Sequence, residues 1–66
     1  MRIRIRAYHE IVAVHFNNGT MQSFVASEGS TRVEGGRMYF SATGEGIASV
    51  STACFTAVYV NGSRIF

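Results

Sequence analysis

His9, Glu10 and His15, with the more remote Cys54, are the metal-ligating and nucleophilic side chains that lie nearest one another in sequence. A zinc site needs three or four converging ligands at a recognisable spacing. Here two histidines and a glutamate lie close in sequence and the single cysteine is remote, so no metal site and no cofactor is expected. Cys54 and His15 could pair as nucleophile and base, but nothing in the sequence supplies the group that would orient the base. Gly44-Glu45-Gly46 begins like a phosphate loop. Ser49 stands where the dinucleotide pattern needs its third glycine, and a lone GxG between β-type segments reads as a turn. No catalytic residue is assigned and the chain reads as a non-enzyme.

Absences narrow the chemistry further. The chain has no Lys, Asp, Leu, Pro or Trp. Without Lys there is no Walker-type phosphate loop and no Schiff-base nucleophile. Without Asp there is no Ser-His-Asp triad and no EF-hand loop. The four acids, Glu10, Glu28, Glu34 and Glu45, are scattered, so wholesale mimicry of a polyanion is not expected.

The distinctive pattern is Arg2, Arg4 and Arg6, alternating with Ile3, Ile5 and Ala7. Period two puts the arginines on one face of a strand. Alternate residues there sit roughly 6.6–7 Å apart, close to the spacing of phosphates along a single nucleic-acid strand. The same stripe also suits an acidic protein face, or a solvated edge that blocks aggregation. The net charge of +2 conceals this asymmetry: beyond residue 6, three arginines meet four glutamates. Arg37-Met38-Tyr39-Phe40-Ser41 comes nearest to a base-stacking strand, but it lacks the glycine that the ribonucleoprotein pattern places after its basic residue.

β-branched and aromatic residues without Leu disfavour helical bundles. Residues 2–7 and 10–16 read as strands, joined irregularly or by a bend at 8–10. Asn17-Asn18-Gly19 is a turn leading into a strand over 20–26, with a short helix over 20–27 as the alternative. Residues 27–36 form a polar, glycine-rich loop, a natural place for contacts. Residues 37–42 read as a strand and 43–46 as a turn. Residues 47–54 read as a strand, bent strand or short helix, and 55–60 as a strand. Asn61-Gly62 is the cleanest hairpin signal, pairing 55–60 with 63–66. The expected fold is mainly β: a single small antiparallel sheet of four to six short strands, or a small barrel. The alternative is α+β with one short helix within 47–57.

Sixty-six residues make one small domain, in which a single core is marginal. One cysteine excludes an intrachain disulfide. Missing stability then comes most simply from a partner or from self-association through unblunted terminal strands. Met1 to Arg6 lacks the apolar core of a leader, and no apolar run approaches a membrane span. A cytoplasmic protein without a membrane partner is expected.

The segment Thr56-Ala57-Val58-Tyr59-Val60-Asn61-Gly62-Ser63-Arg64-Ile65 resembles a hairpin of some phage anti-CRISPR proteins, a generic motif that transfers no functional residue. The resemblance implies a small inhibitor from a phage or mobile element, directed at a host nucleic-acid or defence complex. The sequence therefore reads as a binding protein acting by protein–protein contact through Arg2, Arg4, Arg6, Arg32, Glu34, Arg37 and Tyr39. Two alternatives stand beside it: a small β-barrel that binds single-stranded nucleic acid through its arginine strand, and a homo-oligomeric module.

Overall fold

The computed structural model describes residues 9–42 and 45–66. The strand expected over 2–7, with Arg2, Arg4 and Arg6, lies outside these residues, as do Thr43 and Gly44 of the second expected turn. Seven strands run in chain order: β1 (His9–Phe16), β2 (Met21–Ser27), β3 (Arg32–Glu34), β4 (Arg37–Ser41), β5 (Ile47–Ser51), β6 (Phe55–Val60) and β7 (Ser63–Arg64). They form two antiparallel sheets rather than one, ordered β2-β1-β6-β7 and β3-β4-β5. An isolated bridge between Ala26 and Ala42 ties the sheets at one corner. Among the described residues no ladder joins β7 or β2 to β3 or β5, so the sheets do not close into a barrel.

Turn chemistry sets the hairpins. Gly19 takes a φ of 89°, and Asn18 Oδ1 accepts hydrogen bonds from the Thr20 amide and hydroxyl, which registers β1 on β2. Period-two alternation then wins over the helical reading of 20–27, because β2 pairs with β1 along its whole length. The expected loop over 27–36 is corrected. Arg32–Glu34 pairs with β4, and Gly35 and Gly36, at φ of 60° and 79°, make a two-residue hairpin turn. The glycines that suggested a loop supply the positive φ of that turn. Residues 47–54 divide into strand β5 and one turn of 3-10 helix at Thr52–Cys54, capped by the Ser51 hydroxyl accepting from the Ala53 amide. The regular last strand is shorter than 63–66: beyond Arg64, the Ile65 and Phe66 amides both reach Val58 O, a bulge, past which the Val58 amide still donates to Phe66 O at 3.1 Å.

Asn61 does two jobs. It holds φ at 51° in the β6–β7 turn, and its Oδ1 accepts from the Ile11 amide at 2.9 Å, while its own amide donates to Ile11 O at 2.8 Å. Asn61→Ala loses the side-chain bond and meets the left-handed penalty together, so it should destabilise by about 2 kcal/mol. Asn61→Gly restores the conformation but not the bond, and should recover part of the loss. Urea titration of the three proteins checks the order.

Even-numbered residues of β1 face inward. Val12 and Val14 pack with Ala26, Met38 and Val58 as the buried core, and Phe16, Phe24, Phe40 and Phe55 flank it. Glu10 lies on the same face as Val12 and is 5% exposed. Its carboxylate accepts from the Gly29 amide at 2.8 Å and the Thr31 amide at 3.0 Å, pinning the 28–31 connection between the sheets to the start of β1. Burial pushes this carboxyl upward. The Thr31 hydroxyl beside it and the two amides outweigh burial and hold it below its ordinary value of 4.5.

Candidate functional site

The two sheets face each other across an apolar groove of about 530 Å³. Pairing fixes which side chains enter it. On β2, Gln22 and Phe24 share the face of Val14 and Val12. On the second sheet, Met38 pairs with Val50 and Phe40 with Ala48. Val14 and Met38, nearly inaccessible, form the floor. Phe24 meets Phe40 across the gap, ring centroids 5.0 Å apart, and Phe16 meets Phe55 edge-on at 5.3 Å. Gln22, Val50, Ser51 and Cys54 form an exposed rim. A second hollow of about 380 Å³, lined by Phe16, Asn17, Asn18 and Cys54, adjoins it. Its walls are apolar, a few polar groups stand at the mouth, and its volume falls within the ~300–1,000 Å³ common for small-ligand clefts.

Four of the residues singled out from sequence share the opposite face of the three-stranded sheet. Arg32 pairs with Tyr39 and Glu34 with Arg37, so all four lie on one side. They are largely occupied with one another. Arg32 forms an ion pair with Glu34, and its guanidinium lies 4.4 Å from the Tyr39 ring centroid. Arg37 donates from Nε to Ser49 Oγ at 3.1 Å and from a terminal nitrogen to Ser49 O at 3.2 Å. Tyr39 and Phe40 point to opposite faces and cannot stack bases side by side.

The chain matches no family model, no curated protein and no solved structure.

The remaining candidates separate. His15 lies on the outer face of the four-stranded sheet, its ring 5.3 Å from that of Tyr59. Glu10 is turned inward onto the 28–31 amides, and Cys54 sits at the groove mouth. Among the described residues no three His, Cys, Asp or Glu side chains gather as a metal site. The groove itself is not signalled in the sequence. Its phenylalanines read as core, which they partly are; the opening depends on how far the two sheets splay. Parity alone could have placed Gln22 among them, since a polar residue between Val14 and Phe24 on an inward face marks a mouth.

Proposed function

We propose that the protein is a non-enzymatic binding module that acts by protein–protein contact, with the groove taking an apolar anchor from the partner. The observation that carries this reading is the convergence of Phe16, Phe24, Phe40 and Phe55 on an open groove in a chain of 66 residues. A small domain gains by covering such a surface, and anchor residues in apolar pockets carry most of the affinity of protein interfaces. The groups at the mouth, Gln22 and Ser51, would fix register. Inhibition of a larger nucleic-acid-handling complex is one form this activity can take.

Among the described residues, which leave out Arg2, Arg4 and Arg6, single-stranded nucleic acid has less to hold. The Tyr39 ring is already covered by Arg32, and Arg37 is engaged with Ser49. If the groove rather than the arginine strand is the site, a labelled oligonucleotide should bind weakly at low salt. Tight binding that falls steeply with salt would support the nucleic-acid reading instead.

The test is affinity capture from the cells that naturally make the protein, with wild type beside Val50→Arg. Val50 is 37% exposed, so an arginine there can reach water while its stem blocks the mouth. A partner held by the groove should be lost by about tenfold or more, the equivalent of about 1.4 kcal/mol. Equal recovery of the same proteins by Val50→Arg would contradict the assignment.

A further inference from the structure

We infer that the anchor taken by the groove is a tryptophan side chain of the partner, its indole N–H donating to Gln22. The inference rests on the groove being the contact site and names what fills it.

The lining sets the chemistry of the guest. No residue around the groove carries a charge. A charged anchor would lose its hydration there and gain no counter-ion. Four half-buried rings, Phe16, Phe24, Phe40 and Phe55, stand with the Met38 and Cys54 sulfurs around the opening. Ring edges and sulfur attract an aromatic guest beyond the area it buries, and an aliphatic guest of equal area gains nothing comparable.

Register sets the length of the guest. Phe16 stands one pleat repeat beyond Val14 on β1. Phe24 pairs with Val12, one repeat the other way. The Phe16–Phe55 and Phe24–Phe40 pairs therefore flank the Val14 and Met38 floor at its two ends. At about 6.7 Å per repeat, the two ends lie about 13 Å apart along the strand. A bicyclic indole laid on the floor reaches both ring pairs, whereas a single six-membered ring reaches one.

Gln22 supplies the polar contact. It is the direct partner of Val14, so it stands beside the middle of the floor rather than at an end. An indole carries one N–H donor and no acceptor. Buried without a partner, that donor would cost affinity. Ser51 Oγ already accepts from the Ala53 amide, and Gln22 holds the side-chain carbonyl of the lining.

The chain has no tryptophan, so the emission of an added indole can be followed against tyrosine alone. The probe is N-acetyl-L-tryptophanamide, titrated with the full chain. Its emission should shift to the blue and saturate with a dissociation constant of about 0.1–1 mM, as befits a ligand of its size. N-acetyl-L-leucinamide should displace it about tenfold more weakly. Methylating the probe at the indole nitrogen should weaken binding to wild type by about fivefold. Gln22→Leu, on the exposed rim, should bind the methylated and unmethylated probes alike. The wild-type comparison stands even if Gln22→Leu fails to fold.

Equal displacement by the leucine amide, or equal binding of the methylated probe to wild type, would overturn the inference. So would an unchanged emission shift with Val50→Arg, which would place the indole outside the groove. Free indole binding more tightly than the blocked amino acid would assign the site to a small molecule instead of a protein anchor. The capture experiment with Val50→Arg judges the groove whatever fills it. Capture lost with that variant, but no indole bound by wild type, would keep the groove and remove tryptophan from it.

Discussion

Met38→Ala is expected to lower the unfolding free energy by about 3 kcal/mol, within the range for removing a buried methionine side chain. Met38 is 2% exposed and is among the largest fully buried side chains of the described residues. It lies on β4 yet packs in the cluster with Val12, Val14 and Val58 of the other sheet, so it holds the sheets together more than it holds its own strand. The void cannot collapse easily, because it opens into the groove that Met38 floors. A chain of this length has a total stability of roughly 3–10 kcal/mol, so the loss removes about a third of it or more. Met38→Leu, which nearly conserves volume, should cost less than about 1.5 kcal/mol. Urea denaturation followed by tyrosine fluorescence measures both. A loss below about 1 kcal/mol for the alanine variant would mean that the sheets are held elsewhere.

Glu10→Gln should cost about 2 kcal/mol at neutral pH, because two amides lose a charged acceptor at a buried site. The pH dependence follows from the lowered carboxyl. In the unfolded chain this group takes up its proton near 4.5; in the folded protein it does so only at lower pH. Its contribution is fully present above 4.5 and is lost as pH falls through the folded value. Wild type should therefore lose stability on acidification, and the gap between wild type and Glu10→Gln should narrow below pH 4.5. Thermal unfolding at a series of pH values reads this directly. A gap that stays constant into acid would show that the carboxylate bonds are not what Glu10 contributes.

Glu10 also shows how much could be read from the chain. It sits in phase with Val12, Val14 and Phe16 in a β-branched run, so period two places it on the buried face. A lone acid there calls for donors, and the tight turn at 28–31 supplies them. The strand β1, the hairpin at Asn17 to Gly19 and the Asn61-Gly62 turn were legible because their signals are local: alternation, and residues that tolerate positive φ. The β3–β4 hairpin was obscured because Gly35-Gly36 lies in a polar stretch where turn glycines and loop glycines look alike. The split into two sheets was hidden for a different reason. It rests on the bend at 28–31 and on β6 returning beside β1, forty-odd residues away in sequence, and neither leaves a periodic trace.

The candidate surfaces divide in the same way. Arg32, Glu34, Arg37 and Tyr39 were singled out as contact residues, but their meeting on one face follows from the β3–β4 hairpin, which the sequence reading took for a loop. Their engagement with one another was not legible, because cross-strand register decides it. That engagement shifts the weight of the account from the charged face to the aromatic groove. There the rings of Phe24 and Phe40 come from different sheets and converge only in the folded chain.

Cys54 offers the most direct test of the groove. It is the only cysteine in the chain, it is exposed, and it lies on the groove rim. A benzophenone photo-crosslinker attached there samples whatever enters the groove. The same label at Ile47→Cys in a Cys54→Ser background samples the opposite face, where Ile47 is 75% exposed. Irradiation in lysate of the native cell, followed by mass spectrometry of the cross-linked peptides, should join Cys54 to an apolar segment of one partner, with little product from position 47. Cross-links from position 47 but not from Cys54 would contradict the central claim that partners are held in the groove between the sheets.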